Sequence, residues 1–435
     1  MAHRYYIAVC ILVLTFILLL SSSNAEDKDT LANGEELFTE EEYPSDMDTL
    51  EEFIQSYYLL LESNEYLNQF KFLNLDKNHF SGDKKALKGL YEKLLELRSG
   101  LRDKVTIYQI GDSHIQSGYF SGTARTSLQK YFGNAGRGLI FPLRLAGTNQ
   151  PDDYKITASG SFNRNIAEHG LSGFALNIKE GSSLEIATNN FFGGDNRFSK
   201  LSMLTSLPGL RPVVESPVGE TQELCFKTGN YYYSSVSCEK PVSSLKISLA
   251  GESSILYGLC LENEKPGLLY HSSGINGAGF YTLQGQSALF EQIGFLKPDL
   301  IVISLGTNDA QGNFRNDVFT QNLTAFMHNL RQYNPETPVL FTLPPDSNKW
   351  GKHNADLDKV ENIIINYAKN NQCAWWDLSA VMGGNNSVQQ WRTNQMSAKD
   401  LLHYTPKGYM LHGYLFYQAL IKSYKGLSEK AGQKQ

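Results

Sequence analysis

The chain of 435 residues is 41% hydrophobic and 19% charged, and its formal net charge is −6. This composition excludes a disordered or collagen-like protein, and the length is sufficient for two or three domains with a large buried core. The sequence has no basic run interleaved with aromatic residues. We therefore expect a globular protein that does not have nucleic acid as a partner.

The first 25 residues have the layout of a secretory signal peptide. His3 and Arg4 form a short basic start, an apolar run extends from Tyr5 to Leu20, and small polar residues continue to Ala25. A membrane anchor is the alternative, but the run is slightly short for a bilayer and no basic stop signal follows it. We predict cleavage after Ala25, export to the periplasm, the cell envelope or the medium, and no membrane span in the mature chain.

Two segments separate the signal peptide from the first predicted strand. Residues 26–48 are predicted to be an acidic, disordered leader, because twelve acidic residues and a single lysine lie between Glu26 and Glu52. In residues 49–103, leucine and aromatic residues recur at helical spacing. We predict two helices there, separated by a turn around residues 81–83, and we expect the second helix to pack on a sheet.

An alternation of strands and helices predicts the main domain. A buried strand begins at Val105, leads into a turn at residues 111–114 and precedes a helix that extends to about Leu128. The alternation resumes at about residue 270. Later strands are predicted at 300–305, 339–343 and 374–378, and helices at 284–295, 319–333, 357–369 and 406–424. This pattern predicts an α/β fold with a doubly wound, mainly parallel, flavodoxin-like sheet, built from residues 104–145 and 270–428.

Residues 146–269 have a different pattern. Short runs of alternating polar and apolar residues are separated there by clusters of Gly, Asn, Ser and Pro, without helical periodicity. The pattern predicts a β-sandwich domain inserted into the α/β fold. Three consecutive tyrosines, residues 231–233, have two interpretations. They form either an exposed aromatic platform that stacks on sugar rings or cross-strand pairs within the sandwich.

Four cysteines would remain after cleavage of the signal peptide, namely Cys225, Cys238, Cys260 and Cys373. They include no Cys-x-x-Cys pair and no His/Cys cluster at zinc spacing, so we expect neither a metal nor another cofactor. Cys225 and Cys238 are close enough in sequence to form one disulfide in an oxidising compartment. The alternative is that these thiols remain free and buried.

Ser113 is the candidate nucleophile of a serine hydrolase. It follows the buried strand that begins at Val105, and Gly111 permits a sharp backbone turn before it. The carboxyl end of a parallel strand is where open α/β sheets place their ligands. Gly-Asp-Ser is also an ordinary turn sequence, and it differs from the Gly-x-Ser-x-Gly elbow. The assignment therefore depends on partners elsewhere in the chain.

Three further residues can supply those partners. Asn308 follows Gly306 at the end of another buried strand, so its amide can lie on the same rim of the sheet and donate to an oxyanion. Asp400 and His403 are three residues apart, which places both side chains on one side of a helical turn. Asp400 can then accept from one imidazole nitrogen while the other faces Ser113. Taken singly, Asn308 is more often a turn former, and the other two a surface pair.

Together, four short blocks of sequence resemble the SGNH hydrolase superfamily, whose members are also called GDSL esterases and lipases. The blocks are residues 111–113, 274–278, 306–309 and 400–403, in the order and relative spacing of that family. The resemblance covers residues 104–145 and 270–425. The combination of four blocks is far more specific than any one of them.

The resemblance implies a role for each matching residue. Ser113 would be the nucleophile, His403 the general base and Asp400 the partner of that base. The backbone N–H groups of Ser113 and Gly277 and the side chain of Asn308 would form the oxyanion hole. Gly274 is the alternative to Gly277, because two glycines of that loop can fill this role.

Three features resemble the branch of the superfamily that contains peptidoglycan O-acetylesterases. They are His114 in place of the leucine usual in the signature, the Gly-Ile-Asn-Gly-Ala loop at 274–278, and the inserted β domain, which in that branch is similar to a carbohydrate-binding module. The resemblance implies a serine esterase whose substrate is an acetylated glycan. Two alternatives stay open: an O-acetyltransferase that uses the same residues, and a glycan-binding protein with a vestigial hydrolase fold.

Overall fold

The computed structural model describes residues 47–83, 85–215 and 221–432. The predicted signal peptide and the predicted acidic leader lie outside these residues, except for residues 47 and 48 of the leader, which belong to the first helix. No helix in the described part of the chain has the length and apolar content of a membrane-spanning segment.

The helices and strands are numbered in chain order over the described residues. The helices are α1 Met47–Leu61, α2 Asn64–Asn68, α3 Lys88–Arg98, α4 Ser113–Gln116, α5 Tyr119–Phe132, α6 Phe280–Leu283, α7 Ser287–Leu296, α8 Thr307–Gln311, α9 Asn316–Tyr333, α10 Ala355–Asn370, α11 Leu378–Met382, α12 Ser387–Thr393 and α13 Pro406–Gly432. The strands are β1 Phe80–Gly82, β2 Lys104–Gly111, β3 Gly138–Ile140, β4 Tyr154–Ser159, β5 Phe162–Arg164, β6 Leu176–Ile178, β7 Ser183–Thr188, β8 Phe198–Ser206, β9 Leu210–Val214, β10 Thr221–Thr228, β11 Tyr231–Val242, β12 Ser244–Gly251, β13 Ser254–Glu262, β14 Gly267–Gly274, β15 Leu300–Ser304, β16 Val339–Thr342, β17 Asn348–Lys349, β18 Lys352–His353 and β19 Ala374–Trp376.

A six-stranded sheet forms the centre of the main domain, in the order β1-β19-β16-β15-β2-β14. All neighbouring strands are parallel except β1, which is antiparallel to β19. Successive residues of β15 pack in different cores, Leu300 and Val302 in one and Ile301 and Ile303 in the other. Helices therefore cover both faces of the sheet, which confirms the predicted doubly wound α/β fold.

The segment before β2 differs from its prediction. The predicted turn around residues 81–83 is wrong, because β1 forms an edge strand in which Phe80 lies opposite Trp376. A Cβ at Gly82 would lie 2.8 Å from the carbonyl oxygen of Cys373, and the residue has φ +119, so this approach requires glycine. A strand of three residues is stabilised by its neighbour and leaves no periodic pattern in its own sequence.

Two antiparallel sheets form the inserted domain. One has the order β10-β11-β8-β13-β6-β5, with β3 paired to β13, and the other has the order β4-β7-β12-β9. Leu201 and Leu256 of the first sheet and Ile186 and Ile247 of the second share one core. The antiparallel sheets fit the predicted insertion. By strand pairing, β3 lies beside β13 of the insertion, and β14 lies beside β2 of the central sheet.

The tyrosines at 231–233 pack within the structure, and the interpretation as an exposed platform is wrong. Tyr231 is 7% exposed and donates from its hydroxyl to Glu291 of α7 at 3.0 Å. Tyr233 packs on Phe226 of the neighbouring strand, with ring centroids 4.8 Å apart. Sequence periodicity did not distinguish the two interpretations because it does not show which neighbours cover a strand face.

Cys225 and Cys238 do not form a disulfide. In the ladder between β10 and β11, Cys225 lies opposite Ser234 and Cys238 lies opposite Thr221. Four residues of extended strand, which span roughly 13 Å, therefore separate the two positions along the ladder, about twice the reach of a disulfide. Cys238 is buried, whereas Cys225 is exposed.

A buried ion cluster joins the inserted domain to the main domain. Asp153, just before β4, accepts from Arg125 of α5 at 2.7 Å and from Arg137, just before β3, at 2.8 Å. All three side chains are at most 6% exposed. Burial acts to raise the pKa of Asp153, but the two guanidinium groups hold it below its ordinary value.

Replacement of Asp153 by alanine is expected to destabilise the protein by about 3–5 kcal/mol, because it leaves two buried guanidinium groups without a counter-charge. Denaturant unfolding of the variant measures this loss. The matched control is Asp195→Ala, which breaks an ion pair with Arg197 whose side chains are 40% and 59% exposed. We expect the control to cost less than about 1 kcal/mol. Similar losses in both variants would show that the buried cluster is not important for stability.

Candidate active site

The end of β2 presents Ser113 at a turn. β2 ends at Gly111, where a Cβ would lie 2.3 Å from Cγ1 of Ile115, so a larger residue does not fit. Asp112 follows as the N-cap of α4 and accepts the backbone N–H of His114 at 3.0 Å. Ser113 is then the first residue of the helix, and its backbone N–H donates no hydrogen bond within the described residues.

A continuous chain of hydrogen bonds connects Ser113, His403 and Asp400. Nε2 of His403 lies 3.0 Å from Oγ of Ser113, and Nδ1 lies 2.7 Å from Oδ2 of Asp400. The other carboxylate oxygen of Asp400 accepts the backbone N–H groups of Leu402 and His403, both at 2.9 Å. Residues 400–403 form a bend and not the predicted helical turn, and these backbone bonds fix the carboxylate beside the imidazole.

Asp400 is charged at neutral pH. Burial acts to raise its pKa, but the hydrogen bond and the charge of His403, together with the two backbone N–H groups, lower the pKa to about 2. Its side chain is 47% exposed, and that of His403 is 18% exposed. A permanent carboxylate in this position fixes the orientation of the imidazole and stabilises the imidazolium that forms when His403 takes a proton.

The structure distinguishes between the two glycines of the loop after β14. At Gly274, a Cβ would lie 2.2 Å from the backbone nitrogen of Gln116, so this glycine serves close packing against α4. At Gly277, φ is +75 and a Cβ would meet nothing within 4 Å. The N–H of Gly277 donates no hydrogen bond within the described residues. Gly277 is therefore the better candidate for an oxyanion donor.

Asn308 lies in the first turn of α8, after β15. The ends of β2, β14 and β15 are aligned, since Gly111 is opposite both Gly274 and Ser304, so the loops that follow leave the same edge of the sheet. One N–H of the Asn308 side-chain amide donates to the carbonyl of Ala278 at 2.9 Å. A primary amide has a second N–H, which stays available for an oxyanion.

Sequence reasoning missed two residues that hold the glycine loop. Oε1 of Gln116 accepts the N–H of Asn276 at 2.6 Å, and Oδ2 of Asp309 accepts the N–H of Phe280 at 3.1 Å. These bonds fix the loop on both sides of Gly277. Asp309 belongs to a recognised sequence block but had no assigned role, and nothing in the sequence around Gln116 indicates its partner 160 residues away.

Loss of the Asn308 amide is expected to lower kcat for an acetyl ester by roughly 10²- to 10³-fold in Asn308→Ala, because a preorganised donor to the oxyanion is removed. Steady-state kinetics on a small ester measures the effect. A matched control is Asn329→Ala. Asn329 lies on α9, and its side-chain amide also donates a hydrogen bond to a backbone carbonyl, that of Gln284. If kcat fell by the same small factor in both variants, Asn308 would have only a structural role.

His114 lies beside His403 in a buried aromatic cluster. Its Nδ1 is 3.0 Å from the hydroxyl of Tyr409, and its ring centroid is 5.6 Å from that of His403. Burial and the neighbouring charge of His403 hold the pKa of His114 well below its ordinary value. The neutral ring fills the space beside His403 without competing for Asp400.

Asp112 is expected to make stability depend on pH. Burial raises its pKa to about 7, and its Oδ2 has no hydrogen-bond partner. Between about pH 4, near the ordinary aspartate pKa, and pH 7, the folded protein holds a proton that the unfolded chain has lost, so stability falls as the pH rises. The Asp112→Asn variant has no carboxyl group at this position, so this loss of stability with rising pH is absent from it. Its Tm relative to wild type should therefore be higher at pH 8 than at pH 4, whereas an equal difference at both pH values would contradict the shifted pKa.

These residues supply the parts that acyl transfer needs. They are a serine in contact with an imidazole, a carboxylate that orients the imidazole, and two backbone N–H groups and a side-chain amide near the same sheet edge. Within the described residues, no three or more His, Cys, Asp or Glu side chains cluster in a way that could hold a metal ion.

The chain is similar to known proteins in part of its sequence and in its fold. Residues 258–411 match the GDSL-like lipase/acylhydrolase family. The structure of a peptidoglycan O-acetylesterase superposes with a TM-score of 0.66 at 21% identity, covering 79% of this chain and 98% of that one. The lipase/acylhydrolase from Enterococcus faecalis has a TM-score of 0.29 at 20% identity, over 35% of this chain and 76% of its own. An acetyl xylan esterase has a TM-score of 0.30 at 20% identity, over 35% and 81%. No curated protein sequence matches the chain.

The architecture and the match of residues 258–411 support an SGNH-type hydrolase. The resemblance to the SGNH hydrolases that the four sequence blocks predict is confirmed by the family match over residues 258–411 and by the shared fold. At 21% identity, the similarity to the peptidoglycan O-acetylesterase establishes a shared fold over most of both chains.

Proposed function

We propose that this chain is a serine esterase that removes O-acetyl groups from a glycan through an acetyl-enzyme on Ser113. The observation that carries the proposal is the hydrogen-bonded series from Ser113 through His403 to Asp400, with distances of 3.0 and 2.7 Å. A serine hydroxyl in contact with a base that a carboxylate orients is the arrangement that activates a weak nucleophile. A vestigial hydrolase has no need to keep this alignment.

In the first step, Oγ of Ser113 attacks the acetyl carbonyl carbon and transfers its proton to Nε2 of His403. The carbonyl oxygen becomes negatively charged and accepts hydrogen bonds from the N–H groups of Ser113 and Gly277 and from the Asn308 amide. His403 then gives the proton to the sugar oxygen as the ester bond breaks. The sugar alcohol leaves, and the acetyl group stays on Ser113.

In the second step, a water molecule attacks the acetyl carbon and gives a proton to His403. The tetrahedral intermediate collapses, the bond to Oγ of Ser113 breaks, and His403 returns the proton to that oxygen. Acetic acid is released and ionises at neutral pH. Asp400 remains a carboxylate throughout, since its low pKa prevents it from taking the proton.

The glycan substrate is supported by two features. A solved structure of a peptidoglycan O-acetylesterase matches 79% of this chain, and this coverage extends beyond the residues matched by the family. The inserted domain adds two antiparallel sheets next to the main domain, which enlarge the surface available to a polymer. The apolar stretch near the start of the sequence supports export, and peptidoglycan or another envelope polysaccharide would then be accessible.

The test is acetate release from O-acetylated peptidoglycan and from acetylated plant polysaccharides, with Ser113→Ala as the blank. We expect release from at least one polymer by the wild-type protein only. A parallel reaction contains an unacetylated sugar acceptor. Acetylation of that acceptor at the expense of free acetate would identify a transferase, and binding of the polymer without acetate release would identify a glycan-binding protein.

A further inference from the structure

A β-hairpin with a two-residue turn carries an exposed tryptophan at its tip. In the hairpin of β17 and β18, Asn348 pairs with His353 and Lys349 pairs with Lys352, so Trp350 and Gly351 form the turn. Their φ angles are +54 and +77. Positive φ at both central residues defines a type I′ turn, which strongly prefers Asn, Asp or Gly at the first position. A bulky side chain at this position is unusual.

Trp350 is 91% exposed, the highest value among the large hydrophobic residues of the described chain. The four tryptophans of the sequence are Trp350, Trp375, Trp376 and Trp391. Trp376 and Trp391 are fully buried, and Trp375 is partly buried against the core. Neither turn preference nor packing therefore explains a tryptophan at position 350. Single exposed apolar residues are common, so the exposure of Trp350 is significant only because of where the residue lies.

The base of the hairpin is fixed between two parts of the candidate active site. The N–H of Asn348 donates at 2.8 Å to the carbonyl of Leu401, within the loop that carries Asp400 and His403. The side chain of Gln311, at the end of the helix that carries Asn308, donates to the carbonyl of Asn348 at 2.9 Å.

Lys349 fixes the hairpin further. Its Nζ donates to the carbonyls of Ala310 and Gly312 at 2.8 and 2.7 Å and pairs with Asp356 at 3.0 Å. The same Nζ lies 4.9 Å from the centre of the Trp350 ring. The Lys349 side chain is 7% exposed, so a fixed ammonium group lies near one face of the indole, while the ring stays accessible to solvent.

We propose that Trp350 is a stacking subsite for a sugar ring of the glycan chain, next to the acetylated sugar at Ser113. The inference rests on the proposed function, and it adds a second binding position on the substrate. A pyranose ring presents faces of C–H groups with hydroxyls at its edge, so an aromatic face can cover the apolar part while the hydroxyls remain hydrated. A hairpin fixed at its base keeps the indole in place before substrate arrives, which lowers the entropic cost of binding.

The first experiment compares kcat/KM on an acetylated polysaccharide with kcat/KM on a small acetyl ester. We expect the ratio of the two to fall about tenfold in Trp350→Ala, mainly through KM for the polymer, and to recover largely in Trp350→Tyr. The matched control is Tyr333→Ala. Tyr333 is an aromatic residue that is 40% exposed at the end of α9, which leads to the amino end of β16, whereas Ser113 follows the carboxyl end of β2. A constant ratio in Trp350→Ala would overturn the inference.

The second experiment separates binding from turn stability. Asn is a preferred residue at the first position of a type I′ turn, so Trp350→Asn should have a Tm at least as high as wild type and yet lose activity on the polymer. Loss of Tm together with an equal loss of activity on both substrates would show that Trp350 only maintains the hairpin.

The third experiment uses the inactive Ser113→Ala protein, so that the acetylated glycan stays intact. The exposed indole should dominate quenching of tryptophan fluorescence by acrylamide, and an acetylated oligosaccharide should protect it. Protection should be absent in Ser113→Ala/Trp350→Phe. Acetate release by wild type without protection would overturn the stacking subsite alone. The absence of both acetate release and protection would overturn the proposed function and, with it, the stacking subsite.

Discussion

Ser113→Ala is expected to lower kcat for acetyl ester hydrolysis by roughly 10⁴- to 10⁶-fold, the range seen when a serine nucleophile that acts with its base as one unit is removed. The oxyanion donors and the binding surface remain, so a small residual rate over the uncatalysed reaction is expected. The measurement is initial acetate release from a small ester, with Tm recorded on the same preparation to show that the fold is intact.

A neighbouring serine provides the matched control for this prediction. Ser117 is also buried, and its hydroxyl has no hydrogen-bond partner within the described residues. Ser117→Ala should retain activity close to that of the wild type. Comparable activity in Ser113→Ala and Ser117→Ala would exclude Ser113 as the nucleophile and, with it, the proposed mechanism.

Asp400→Asn is expected to lower kcat by about 10⁴-fold with little change in KM, because an amide at this position favours the wrong imidazole tautomer and removes the charge that stabilises the imidazolium. His403→Ala should cost at least as much. The double variant should be scarcely slower than His403→Ala, since both residues act through one series of hydrogen bonds. Steady-state kinetics of the three variants on one small ester provides the comparison.

If the factors by which the two single substitutions lower kcat multiplied in the double variant, the two residues would act independently and this coupling would be contradicted. His403 would then require another partner, and Asp377 is the next carboxylate to consider from the sequence. In the structure, Asp377 accepts the backbone N–H of Ala380 at 2.9 Å as the N-cap of α11. Asp377→Asn preserves an acceptor for this cap, so it should leave kcat within a few-fold of wild type and serves as the control.

Much of the fold follows from local sequence patterns. The strand that leads to Ser113 is buried from Val105 to Gly111 because helices cover both faces of a parallel sheet, and its Val, Ile and Tyr residues indicate such a strand in the sequence. The order of strands and helices then places Ser113 and Asn308 at the same edge. Asp400 and His403 were found by their spacing, although the structure holds them in a bend, because three residues bring two side chains together in several backbone conformations.

Other features depend on partners that the sequence does not show. β1 exists because β19 offers it an open edge, and the glycine loop is held by Gln116 from a distant part of the chain. Trp350 is an exposed aromatic residue on a hairpin bonded to the candidate site, whereas the tyrosines at 231–233 of the inserted domain are not exposed. Burial of a tyrosine on a strand is set by the opposing layer, which no short pattern reveals.

The central claim is a covalent acetyl-enzyme on Ser113. The most direct measurement is mass spectrometry of the protein quenched during turnover of an acetyl ester, followed by proteolysis to locate the modified residue. We predict one acetyl group, on the peptide that contains Ser113, which disappears when substrate is exhausted and never forms in Ser113→Ala. Rapid turnover in which Ser113 stays unmodified, under conditions where deacetylation is slowed by low temperature, would contradict the account.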